Sequence, residues 1–124
     1  RRSSWDENLD IPPPNEFIPA DLSVLEAPKG GSECPELVRD DESYRIHHLL
    51  DGQLRLPKTN LMVVIESPCV YCSPRMFVLS SLFISMLNDD LKESTYVSGI
   101  AGLRNVIEHG TGGILLAFEG FSDR

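Results

Sequence analysis

Cys69-Val70-Tyr71-Cys72 is the first grouping in this chain whose residue types could do chemistry. It follows an apolar run and leads into Ser73-Pro74, the start of a predicted helix. Thiol–disulfide oxidoreductases place a C-x-x-C pair at such a corner because the positive end of the helix dipole favours a thiolate. Those chains also need a cis-proline loop before a later strand, and no proline follows Pro74. A redox pair of Cys69 and Cys72 is therefore the lesser reading. The greater is two small side chains packed at a strand-to-helix corner.

A zinc site could draw on Cys34, Cys69, Cys72 and His109, but Cys34 lacks the short spacing to a second ligand that zinc knuckles use. Asn105-Val106-Ile107-Glu108-His109 has the outline of an inverted H-x-x-E-H motif, in which two imidazoles on one helix face hold zinc and the Glu is general base. Here Asn occupies the first ligand place, and the stretch reads as a strand ahead of Gly110-Thr111-Gly112-Gly113. His47 and His48 are adjacent on a predicted strand, so their rings point to opposite faces. There is no G-x-S-x-G, P-loop or Rossmann fingerprint, and no spacing of Ser, His and Asp singles out a triad. No catalytic residue, metal ligand or cofactor is expected in this chain.

The elements that would position these groups begin at Tyr44. Tyr44 to Leu50, Asp51-Gly52 and Gln53 to Leu56 read as a hairpin, since Asp-Gly supplies the positive φ of a tight turn. Asn60 to Glu66 reads as a buried strand. Ser73 as N-cap and Pro74 at the first helical position open a helix of about four to five turns. Its Met76, Phe77, Leu82, Phe83 and Met86 side is expected to lie on the sheet. The helical pattern continues from Leu91 to Ala101 and stops at Gly102. Leu103 to His109 and Ile114 to Gly120 are two further strands. The class is α+β: a mainly antiparallel sheet with helix packed on one face, preceded by an extended Pro-rich arm.

That arm, residues 1–40, differs in composition from the domain expected over 41–124. Residues 1 to 43 hold six of the nine prolines, including Pro12-Pro13-Pro14. Proline fixes φ and donates no hydrogen bond, so the segment is expected to be extended and unable to bury its own side chains. Trp5, Phe17, Ile18 and Leu22 are too apolar for a solvated linker and are expected to pack on protein outside this chain.

The chain has 124 residues, enough for one domain with its own core. Its net charge of −8 argues against nucleic acid and anionic membrane surfaces as partners. The longest apolar run, Leu61 to Ile65, is a strand's length and far short of the roughly 20 residues of a membrane span. Three cysteines are an odd count and no secretory signal is visible, so reduced thiols and a cytoplasmic location are expected. An opening of Arg1-Arg2-Ser3-Ser4 without Met reads as an internal piece of a longer polypeptide.

Five segments, in order, carry a family resemblance. Pro14-Asn15-Glu16-Phe17-Ile18-Pro19-Ala20-Asp21-Leu22, preceded by Trp5 and Leu9, is followed by Leu56-Pro57-Lys58, Glu66-Ser67-Pro68, Ala101-Gly102-Leu103 and Glu119-Gly120-Phe121-Ser122-Asp123. Together they resemble the linker and the first part of the third domain of the insulin-degrading enzyme, nardilysin and pitrilysin family, with no gap from Ala101 to Asp123. The resemblance implies an incomplete domain of the metallopeptidase/LuxS-like type, from a zinc peptidase whose two bowl-shaped halves close around a peptide-holding chamber. It implies that zinc and its ligands lie in another domain of the parent. The partners implied are the parent's remaining domains and, through its chamber, peptide substrates. The expected function is a non-catalytic linker and chamber-wall segment of a zinc metalloendopeptidase, inactive alone. The alternative is a structural or pseudo-enzyme fragment docking a partner through its apolar arm. The Cys69-x-x-Cys72 pair and the glycines at 110, 112 and 113 are departures from the family pattern.

Overall fold

The computed structural model describes residues 13–26, 33–110 and 112–123. Among these residues there are two antiparallel sheets. The smaller pairs β1 (Glu36–Asp40) with β2 (Arg45–His48); the larger has β5 (Gly113–Phe121) between β3 (Lys58–Glu66) and β4 (Arg104–Gly110). Between β3 and β4 the chain makes a 3₁₀ turn at Pro68–Val70, helix α1 (Pro74–Asp90) and helix α2 (Lys92–Ile100). The α+β class and the antiparallel sheet are as the sequence predicts.

Local chemistry explains most boundaries. The Ser73 hydroxyl accepts the Met76 N–H at 3.2 Å and Pro74 takes the first helical position, so α1 starts where an N-cap and a preset φ coincide. α2 ends in a Schellman motif: Gly102 has φ +88°, its N–H reaches the Gly99 carbonyl, and the Leu103 N–H reaches Ser98. Gly112, at φ +84°, turns β4 into β5. A Cβ on Gly113 would run into the Ile65 carbonyl, so this position in the central strand admits only glycine without backbone movement.

Three expectations need correction. The hairpin is not 44–56 but 36–48, with the Asp41 N–H donating to the Tyr44 carbonyl and Arg45 paired to Asp40 at 3.0 Å. Asp51 instead accepts the N–H groups of Gln53 and Leu54, which makes its turn a self-contained loop rather than a hairpin tip. β1 therefore falls inside the stretch 1–40 expected to be linker.

The second correction concerns burial. β3 is exposed along its whole length, because it is an edge strand and α1 lies over β4 at the other side of the sheet. Third, the α1 side against the sheet is not Leu82, Phe83 and Met86. Phe83 and Met86 are 58% and 63% exposed, and the buried residue of α1 is Ile84 at 6%. A period of 3.6 aligns Phe77, Ser81, Ile84 and Asn88. Ser81 Oγ lies 3.0 Å from His109 Nε2, and Asn88 donates to the Ile107 carbonyl at 3.0 Å. Polar groups thus face the sheet at two of the four positions, and the richer apolar stripe faces outward.

Candidate functional site

Four of the five segments singled out in the sequence meet at one end of the larger sheet. After β5, the Ser122 N–H donates to the Pro57 carbonyl at 3.0 Å, and the Ser122 and Thr59 hydroxyls are 3.0 Å apart. Lys58 pairs with Glu119 at 3.4 Å, with its ammonium 5.9 Å from the centre of the Phe121 ring. Gly102 lies against that same ring, where an added Cβ would come within 3.3 Å of it, and the Leu103 side chain covers Gly120. These contacts bring 56–58, 101–103 and 119–123 together and fix the direction in which Asp123 emerges.

Asp123 then receives the arm. Its Oδ2 accepts the backbone N–H groups of Ala20 at 2.7 Å and Asp21 at 3.1 Å. A second tie is the Asn15 side-chain amide, which donates to the Val97 carbonyl of α2 at 2.8 Å. Hydrogen bonds to a charged acceptor are the stronger kind, worth roughly 1.5–3 kcal/mol when shielded and less at a surface such as this. The arm is not a uniformly extended strip here. Asn15 closes a turn by accepting the Phe17 N–H on Oδ1 while its carbonyl accepts from Ile18, and Asp21 closes another by accepting the N–H and hydroxyl of Ser23.

The arm is thus gripped by its backbone, with its apolar side chains outward. Phe17, Ile18 and Leu22 are exposed, Phe17 least at 38%. Trp5 lies outside the described residues.

The other end of the sheet holds an aromatic cluster. The rings of Tyr71, Phe77 and His109 have centres 5.0–5.8 Å apart, and the Tyr71 hydroxyl donates to the Gly110 carbonyl at 2.6 Å. The Ser81 hydroxyl donates to the Phe77 carbonyl at 2.9 Å, so toward His109 it acts as acceptor and Nε2 carries the ring proton. His109 Nδ1 is then a buried acceptor with no partner among the described residues. A shallow depression of about 530 Å³ beside the cluster is lined by Tyr71, His109, Gly110 and Gly112.

Zinc chemistry does not fit these residues. Glu108 and His109 are successive on β4, so they project to opposite sides, and Asn105 stands opposite Phe118. Among the described residues no three His, Cys, Asp or Glu side chains are grouped to hold a metal ion. His47 and His48 are exposed on β2. Cys69 and Cys72 are exposed, which corrects the expectation that they pack at the corner. Among the described residues no helix is long and apolar enough to cross a membrane. Sequence reasoning missed Asp123 as a binding group. The signal was present, since Asp123 closes one resembling segment and Ala20 and Asp21 lie in another.

The described residues form an α+β unit with a three-stranded antiparallel sheet and a leading arm tied to its end. The chain belongs to the peptidase M16 family: residues 2–124 match the family's middle, or third, domain. It is 35% identical over 117 residues to the mug138 protein of Schizosaccharomyces pombe, whose name includes the words zinc protease, covering 94% of this chain and 12% of that one. It is 29% identical over 126 residues to the insulin-degrading enzyme of Drosophila melanogaster, covering 98% of this chain and 13% of the relative. The crystal structure of pitrilysin superposes with a TM-score of 0.82 at 20% identity over 94% of this chain and 12% of that one, which places the fold. The chain thus spans about an eighth of the length of these proteins.

Proposed function

We propose that this chain is the interdomain linker and chamber-wall segment of a zinc metalloendopeptidase that degrades enclosed peptides, contributing no zinc ligand and no general base. The carrying observation is the Asp123 grip on Ala20 and Asp21, which ties the linker's backbone to the middle domain and leaves Phe17, Ile18 and Leu22 available to another part of the parent. Burying each of those side chains contributes on the order of 1.5–3 kcal/mol. Such a linker holds two halves at once and biases their opening and closing. Its remaining partners in this reading are the other domains of the parent, in a cytoplasmic compartment.

The test is made in the full polypeptide. Phe17→Ala and Leu22→Ala should change peptidase activity severalfold while zinc content stays at the wild-type level. Unchanged activity in both variants would remove the coupling role. A full polypeptide that holds no zinc and cleaves no peptide would favour the alternative, a structural fragment docking a partner through the arm.

A further inference from the structure

The two thiols of Cys69 and Cys72 stand at the ends of one turn whose middle is fixed. Val70 is buried, at 6% exposure, and Tyr71 is anchored by its hydroxyl to the Gly110 carbonyl and by its ring to Phe77 and His109. The Ser67 N–H, just before the turn, donates to the Gly112 carbonyl at 3.1 Å. Both cysteines are exposed, and both are free. Val70 is the last 3₁₀ residue and Tyr71, at φ −118°, ψ 5°, is close to the second central residue of a type I turn, in which the Cα atoms of residues i and i+3 lie less than about 7 Å apart. A disulfide spans about 4.4–6.8 Å between Cα atoms. Cys72 Sγ already folds back to within 3.3 Å of the Cys69 carbonyl oxygen.

From this juxtaposition we infer that Cys69 and Cys72 form a reversible dithiol–disulfide site that exchanges with low-molecular-weight disulfides of the glutathione class. One cysteine, as thiolate, attacks a sulfur of the small disulfide; that S–S bond breaks, and one small thiol leaves with a proton. The second cysteine then attacks the mixed disulfide, forms the Cys69–Cys72 bond and releases the second small thiol. Two electrons pass from the protein to the small disulfide, and two protein thiol protons end on the two released thiols. Among the described residues, the hydrogen bond given up is the weak one from Cys72 Sγ to the Cys69 carbonyl. The Ser73 cap on the Met76 N–H needs no change, so closure leaves α1 in place. The inference is independent of the peptidase reading.

The experiment equilibrates the full polypeptide carrying Cys34→Ser with mixtures of reduced and oxidised glutathione. Samples are quenched in acid, alkylated with iodoacetamide, digested and weighed. As the oxidised fraction rises, the peptide holding both cysteines should lose both alkylation tags and two hydrogens, and dithiothreitol should restore the tags completely. In Cys69→Ser or Cys72→Ser the remaining thiol should instead retain one glutathione. Two tags at every mixture, or glutathione adducts on the parent peptide without an internal bridge, would overturn the inference. Because the reading comes from the protein with both cysteines, it does not depend on how well the single variants fold.

Discussion

The two sides of the larger sheet are built on different terms. On the β4 side, α1 lies close, Ile84 is buried, and Ser81 and Asn88 meet His109 and the Ile107 carbonyl. On the β3 side, Leu61 to Ile65 are exposed, as are Leu82, Phe83 and Met86 on the outer stripe of α1. The more apolar surfaces are therefore the uncovered ones. Since burial of apolar area is the main favourable term in folding, such surfaces mark where further protein belongs, and the polar contacts mark where this chain has satisfied itself.

The largest expected effect lies in the central strand, where β5 meets β3 backbone to backbone. Gly113→Ala would drive a methyl group into the backbone of β3 and should destabilise the domain by at least about 3 kcal/mol, the upper end for overpacking. Gly120→Ala meets only the tip of Leu103, which can turn, and should cost about 1 kcal/mol or less. Chemical denaturation of the two variants checks the contrast, and equal costs would break it.

Ile84→Ala should cost about 2–4 kcal/mol wherever it is measured, because its cavity lies within this chain. Phe83→Ala sharpens the comparison. In the 124-residue chain it should cost well under about 1 kcal/mol, whereas a parent that covers the outer stripe should lose about 3–5 kcal/mol. Urea titrations of both forms separate the two cases.

Asp123→Asn should leave the sheet intact and loosen the arm. Amide exchange at Ala20 and Asp21 should accelerate by about tenfold, which corresponds to about 1.4 kcal/mol. The smallest effect is expected at the exposed Asp89–Lys92 pair, 2.6 Å apart on the surface. A hydrogen bond and charge from Lys92 hold the Asp89 carboxyl below its usual range. Its contribution is therefore present above the ordinary Asp range and is lost as pH falls through the lowered value. Lys92→Ala should change the acid limb of the stability profile scarcely at all.

Much of this architecture was legible in the residues. Ser73-Pro74, the apolar run in β3, the glycine-rich β4–β5 turn and Gly102 carry their structural reasons locally, so they appear where the sequence predicts. The first hairpin did not, because its closing interactions are a Tyr44 carbonyl and an Arg45–Asp40 pair, while the louder Asp51-Gly52 signal serves a side-chain-capped loop. The α1 orientation departs from the expectation because apolarity alone does not decide which side faces the sheet: Ser81 and Asn88 make that contact, and Leu82, Phe83 and Met86 stay exposed among the described residues. The arm's grip was half legible. Its two ends could be picked out as separate segments, but a contact spanning 103 residues has no local signature.

The uncovered side carries the central claim, and two methionines report on it. Met62 on β3 and Met86 on α1 are 70% and 63% exposed. Oxidation of methionine follows exposure. Dilute hydrogen peroxide applied to the 124-residue chain and to the full polypeptide, followed by mass spectrometry of the two peptides, measures the cover directly. On the proposed reading both residues should oxidise at least about fivefold more slowly in the full polypeptide than in the 124-residue chain. Equal rates in the two forms would contradict the proposal that further parts of the full polypeptide cover this surface.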